Sequence, residues 1–334
     1  MVLAGSGTFV YEMSSQQWGD LPADWSFREA TSVAVNSEDE VYVFNRGTHP
    51  MVIFDSGGNI LRYWGEGIFT NPHGVTIGPD GEVYCVDAGD HTVRKFTSDG
   101  KLLMTLGEKN QSAPPMSGDP FNLPTHMAID QRNGDLYVSD GYGNARVHKY
   151  SPDGRHLLSW GESGTAEGQF NVVHYLATDK EGWVYVADRE NRRIQIFDSN
   201  GNFETQWVNM SRAACIYIDH RREQLVYVGE FHCGIGPNSM GHNLGPRVSI
   251  IDTHGNILAR LSERTFGDAP GQFYSPHGIA VDSKGDIYVA EVSWNDYGRS
   301  MNPPKQLRSM QKLILKDSTL EHNKNLTLNI STKT

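Results

Sequence analysis

Cysteine is scarce: Cys85, Cys215 and Cys233 are the only three in 334 residues, and no two are spaced Cys-x-x-Cys. An odd number without paired spacing argues against a disulfide framework and suits a reducing compartment. Long apolar runs are also missing, since no stretch approaches the roughly 18 consecutive apolar residues that a membrane-spanning helix needs; an integral membrane protein is excluded. Positive charge is in deficit, with 29 Lys plus Arg against 40 Asp plus Glu and a net charge of −11. Binding a phosphate backbone requires clustered Lys and Arg to displace counterions, so nucleic acid is not an expected partner. The opening Met-Val-Leu-Ala-Gly-Ser-Gly lacks the basic and apolar regions of a secretory leader, which predicts a cytoplasmic protein unless a leader has been removed. Sustained helical periodicity is absent too.

What the chain does contain is punctuation. Its 35 Gly and 15 Pro fall at turn positions throughout, the mark of many short strands. A unit recurs six times: an apolar strand, a tight turn, then a Tyr-Val strand. It reads Ala30–Val35 with Val41–Phe44, Pro72–Ile77 with Glu82–Asp87, Pro124–Ile129 with Asp135–Asp140, and Val173–Thr178 with Trp183–Asp188; the last two are Ala214–Ile218 with Leu225–Gly229 and Pro276–Val281 with Asp286–Glu291. Third strands such as Val147–Tyr150 and fourth strands such as Leu158–Gly161 follow. Four strands per unit at a period of about 40–50 residues predict an all-β, six-bladed β-propeller with four-stranded antiparallel blades.

Blade six takes a third strand near Gln306–Leu315, after which the chain turns polar. Its fourth strand is expected from the N-terminal run Phe9–Gly19, whose Trp18-Gly19 ending matches Trp64-Gly65 and Trp160-Gly161, closing the ring by pairing two sheet edges. Residues 1–316 are thus read as one propeller and 317–334 as a polar, disordered tail. Sequons at Asn209, Asn325 and Asn329 carry little weight without a leader.

Aligning the six units places one residue, near the start of each innermost strand, at the same level of the central channel: Thr31, His73, Thr125, His174, Ala214 and His277. Histidine occupies alternate blades, about 120° apart in a six-fold ring. Three imidazoles converging on the axis make a three-ligand metal site with an open position, the way catalytic zinc is held, although another divalent transition metal would also suit it. His126 lies one residue out of register and reads either as support for the ligands or as purely structural, the second being preferred. The loops after the second strands offer Arg46 and Tyr142: a guanidinium suited to a substrate carboxylate and a phenol that nearby cations can turn into a base. The run Asp188-Arg189-Glu190-Asn191 reads as a structural turn.

Four runs, Pro72-His73-Gly74, Val138–Arg146, Val186–Gln195 and Ser275-Pro276-His277, resemble the peptidyl-α-hydroxyglycine α-amidating lyase family within the NHL-repeat propellers. The likeness covers about residues 25–295. It implies zinc on His73, His174 and His277, with Tyr142 and Arg46 as catalytic residues that split an N-acyl-α-hydroxyglycine into an amide and glyoxylate. It also implies a structural calcium in the channel, with backbone carbonyls matching Val33 and Val75; the carboxylate that would join them is replaced by Gly278, which leaves calcium open. Family disulfide positions are matched by Gly143, Tyr185 and Ile196, and a methionine near the site by Ser275.

The expected function is a metal-dependent carbon–nitrogen lyase acting, as a monomer, on a small carboxylated carbinolamide. Alternatives are a metal lyase or hydrolase on another small acid such as ureidoglycolate, and a non-catalytic propeller that binds a protein partner. The inward-facing histidines weigh against the last.

Overall fold

The structure is a computed structural model and describes residues 1–221, 223–235, 244–262 and 266–316. Each predicted unit forms an antiparallel sheet whose strands follow in chain order from the axis outward: blade 1 Ala30–Val35, Val41–Asn45, Met51–Phe54 and Ile60–Trp64; blade 2 Pro72–Ile77, Val83–Asp87, Thr92–Phe96 and Leu102–Leu106. Blade 3 comprises Pro124–Ile129, Leu136–Asp140, Arg146–Tyr150 and His156–Trp160, and blade 4 Val173–Thr178, Val184–Asp188, Arg193–Phe197 and Phe203–Trp207. Blade 5 comprises Arg212–Asp219, Leu225–Phe231, Arg247–Ile251 and Ile257–Leu261.

Blade 6 pairs Pro276–Val281, Ile287–Glu291 and Met310–Leu315 with the N-terminal strand Phe9–Met13, the predicted ring closure. Two features depart from expectation. A fifth strand, Val2–Ser6, hairpins onto the closing strand, and Trp18 lies beyond that strand instead of ending it. Trp18 nevertheless takes the place expected of a fourth-strand tryptophan: its indole packs edge-on against Tyr288 at 4.9 Å, as Trp160 does against Tyr137 and Trp207 against Tyr185 in their blades. The predicted tail, residues 317–334, lies outside the described residues.

Burial follows radial position. Second strands of blades 1, 2, 3, 4 and 6 are buried at every residue, whereas outermost strands such as Ile60–Trp64 and Phe203–Trp207 are partly exposed and bury only their closing tryptophan. The repeated Tyr-Val pair supplies a large ring on one face and a β-branched residue on the other, filling the wedges between neighbouring blades. Among the described residues no helix is long and apolar enough to cross a membrane, and all three cysteines are free.

Candidate functional site

In all six blades the innermost pair of strands slips register at the same point. Pro72 pairs with Asp87 and Gly74 with Val86, leaving His73 unpaired between them; His174, His277, Thr31, Thr125 and Ala214 are left unpaired in the same way. A bulge re-aims a side chain and removes its residue from the hydrogen-bond ladder. Each even-blade imidazole therefore meets an available carbonyl of the next odd blade. Nδ1 of His73 lies 2.6 Å from Thr125 O, that of His174 2.6 Å from Ala214 O, and that of His277 2.6 Å from Thr31 O.

A carbonyl only accepts, so each Nδ1 carries the proton and each Nε2 keeps its lone pair, the arrangement that orients metal-ligating histidines. The three ligand atoms lie within 4.8 Å of one another, and this is the only such group of three or more metal-type side chains among the described residues. Burial depresses all three imidazoles far below their ordinary range, helped by the neighbouring rings, Arg46 and Arg189; His277 is pushed down to about 3. All three are neutral and ready to donate at working pH.

Tyr142 completes the cluster. Its hydroxyl is 3.0 Å from His73 Nε2 and 2.9 Å from His174 Nε2, while the residue as a whole is 37% exposed at the channel mouth. The flanking glycines make this reach possible: a Cβ at Gly141 would fall 1.9 Å from Val173 O, and one at Gly143 2.0 Å from Asn122 Oδ1. One phenolic proton cannot serve two lone pairs. Three imidazole lone pairs and a phenol oxygen with a single proton among them form a donor set that fits a divalent cation. Burial of the hydroxyl raises the phenol's pKa, Arg189 and Arg46 pull it back, and Asp296 pushes it up.

Two guanidiniums flank the phenol. Arg46 donates from Nη1 to Glu29 Oε1 at 2.6 Å and from Nε to Pro72 O, next to His73, at 3.2 Å; its Nη2 makes no hydrogen bond among the described residues. Arg189 lies 5.7 Å over the Tyr142 ring and 5.5 Å over Phe231, held by Glu190, which also binds Arg212. The structural reading of residues 188–191 is thus half correct. Asp188 caps Asn171 N and takes Arg193 Nε, but Arg189 faces the site. The sequence did carry a signal for it: Arg46 follows Asn45 and Arg189 follows Asp188, both directly after the end of a second strand.

Those second-strand ends share a role. Asp87, Asp140, Asp188, Glu230 and Glu291 are buried and accept backbone N–H groups from the segment entering their own blade's innermost strand. Three of them fix the approach to His73, His174 and His277, so the ligands rest on a repeated scaffold rather than on mobile loops.

The NHL-repeat family model matches residues 69–96, 121–150 and 273–295. Peptidyl-alpha-hydroxyglycine alpha-amidating lyase 1 of Drosophila melanogaster is 33% identical over 71% of this chain and 45% of its own length. Peptidyl-glycine alpha-amidating monooxygenase A of Xenopus laevis is 30% identical over 83% of this chain and 30% of its own. The chain is similar in sequence to these amidating-lyase proteins, and it carries NHL repeats at the three matched stretches. It spans less than half the length of these two relatives. Among solved structures, streptogramin B lyase superposes with a TM-score of 0.56 at 14% identity, over 94% of this chain and 98% of the other, a likeness of fold.

Other residues singled out in the sequence fall elsewhere. His126 touches none of the three ligands' ring nitrogens; it stacks on Tyr175 with centroids 3.3 Å apart, and burial pushes its pKa down to about 3. Val33 and Val75 line a cavity of about 980 Å³ on the opposite side of the triad, together with His126 and Tyr175. Residue 278 offers no carboxylate to join the Val33 and Val75 carbonyls and has no room for one, because a Cβ at Gly278 would lie 2.6 Å from Ser32 Cα, so a calcium ion there would lack that anionic ligand.

Proposed function

We propose that this protein is a metal-dependent carbon–nitrogen lyase that cleaves an N-acyl-α-hydroxyglycine-like carbinolamide into a primary amide and glyoxylate. The observation that carries this reading is the Tyr142 hydroxyl, set between two imidazole lone pairs and flanked by Arg46 and Arg189. His73, His174 and His277 would hold zinc through Nε2, and the ion would supply Lewis acidity and favour ionised oxygen beside Tyr142.

The chain's own groups account for the proton movements. Ionised Tyr142, favoured by the two guanidiniums, takes the carbinol O–H proton. The electron pair of that O–H bond becomes the new C=O of glyoxylate as the C–N bond breaks, and the amide nitrogen leaves with the C–N pair. Tyr142, now protonated, can return its proton to that nitrogen, so the residue ends as it began. Arg46, whose Nη2 is uncommitted, binds the substrate carboxylate and holds the carbinol carbon over the phenol.

The test is glyoxylate release from an N-acyl-α-hydroxyglycine by the protein as purified, after chelation, and after zinc is restored. Metal-dependent release is expected. A fully metal-loaded protein that yields no glyoxylate from this substrate or from ureidoglycolate would overturn the reading.

A further inference from the structure

Blade 6 differs from blades 2 and 4, which carry the other two histidines, in how its second strand reaches its third. Residues 88–91 make this connection in blade 2 and residues 189–192 in blade 4, but in blade 6 it runs through residues 292–309, with a short helix (Ser293–Asp296) and a 3₁₀ turn (Gly298–Ser300). This crossing lies on the face that carries Tyr142, Arg46 and Arg189, since all of them follow second strands. Two adjacent residues on it engage the site at different points.

Asn295 donates its backbone N–H to Glu29 Oε2 at 2.9 Å and its Nδ2 to Glu29 Oε1 at 2.6 Å. Glu29 is the carboxylate that receives Arg46, so the crossing is fixed relative to that guanidinium. Asp296 accepts the Ser275 hydroxyl at 2.5 Å, and Ser275 is a buried residue two positions before His277. The next residue, Tyr297, stacks on Phe266 at 4.9 Å and meets Tyr274 at 5.2 Å, which makes the crossing a packed wall.

The charges around the phenol are unequal in their partners. Glu29 is paired with Arg46, and Glu190 with Arg189 and Arg212. Asp296 has no cationic partner among the described residues, only the Ser275 hydroxyl. Its place is set by geometry: it follows Asn295, which binds the carboxylate that receives Arg46, and it accepts the hydroxyl two residues before His277. An anion held at a channel mouth without a counter-charge attracts cationic groups and repels anionic ones.

Resting on the lyase reading above, we propose that Asp296 is a specificity-determining residue, selecting carbinolamides whose acyl portion carries a positive charge and rejecting those whose acyl portion is acidic. With the arginines engaged by the glyoxylate-forming carboxylate, Asp296 is the anion left to meet the acyl group. The substrate class is therefore zwitterionic: a carboxylate at the cleaved end and a cationic acyl group at the other.

The experiment compares kcat/KM for three N-acyl-α-hydroxyglycines, whose acyl groups are neutral, ammonium-bearing and carboxylate-bearing, in the native protein and in Asp296→Asn. The native protein is expected to favour the cationic over the anionic substrate by about tenfold at low salt, with the preference shrinking as salt is added. Asp296→Asn should bring that ratio to within about twofold, mainly through KM, and Asp296→Glu should restore part of it. Damage to the fold would lower all three substrates together and leave the ratio in place. Ser275→Ala, which releases the carboxylate from its hydroxyl, should blunt the ratio without abolishing it. An unchanged ratio in Asp296→Asn, or a native preference for the acidic substrate, would overturn the proposal while turnover of the neutral substrate keeps the lyase reading intact; no glyoxylate from any of the three would overturn both.

Discussion

Glu29 is the most exacting test of how the site is held. It is 1% exposed, and its two oxygens receive Arg46 Nη1, Asn295 Nδ2 and Asn295 N. Glu29→Gln keeps the volume but exchanges one oxygen for an NH₂ group. If the remaining oxygen serves Arg46, the new amide faces the Asn295 backbone N–H donor to donor; if it is flipped, it faces Arg46 and Asn295 Nδ2. Either way at least one donor conflict arises, and a mostly buried guanidinium loses its counter-charge. Losing one partner of a fully buried pair costs about 3–5 kcal/mol, and a hydrogen bond to a charged group contributes about 1.5–3 kcal/mol. Arg46 keeps 15% exposure of its side chain and so some access to water, which lowers the expected cost to about 2–4 kcal/mol. Part of this should appear as lost stability in urea unfolding, and part as a misplaced Arg46. At 1.36 kcal/mol per decade, a third to a half of the cost in the transition state is about a tenfold fall in kcat/KM. A variant within about 0.5 kcal/mol of the native protein, the usual range for inert substitutions, and equally active would refute the clamp.

Three further outcomes follow from the same geometry. Tyr142→Phe should lower glyoxylate release by about 10²–10⁴-fold; the native rate should rise with pH as the phenol ionises, and this limb should vanish in the variant. His126 is buried and neutral with its pKa pushed down to about 3, against 6.5 for an ordinary histidine. The unfolded chain thus binds the extra proton first, and His126 should cost about 1.4 kcal/mol of stability per pH unit as pH falls from 6.5 toward 3. Urea unfolding of the metal-free protein at pH 7, 5 and 4 should show that share of the slope missing in His126→Phe, which keeps an aromatic ring against Tyr175. Millimolar calcium or its chelator should leave the melting temperature unmoved, since no carboxylate can stand at position 278; a rise of several degrees with calcium would contradict this.

The ring and its inner register were legible in the sequence because they repeat. Six copies of the same strand pair fix a phase, and a phase is enough to put His73, His174 and His277 at one level. Arg46 and Tyr142 were legible from their loops. The bulges were not, because register is a relation between two strands and only one residue in each pair records it. Glu29 and Asn295 are far apart in the chain and joined only by the closed ring, so no local pattern links them. Arg189 was hidden by a neighbour that is structural: Asp188 explains the turn so well that the residue beside it is easily absorbed into the same account. The outermost N-terminal strand, Val2–Ser6, has no counterpart in the other blades and so no repeat to reveal it.

The imidazole–carbonyl contacts also have a direction. They run from blade 2 to 3, from 4 to 5, and from 6 to 1, so the third joins the C-terminal strands of blade 6 to blade 1, bypassing the closure that blade 6 makes with the N-terminal strand. His277 finds its acceptor, Thr31 O, only when the end of the circle has met its beginning. The trio is therefore a sensor of circular completion: a chain whose seam has not closed has two oriented ligands and a third without its guide. An ion that prefers three oriented ligands would fasten alternate sectors of the ring together and act as a rivet at its hub, resisting the opening of the closure inside blade 6, where the C-terminal strand meets the N-terminal one.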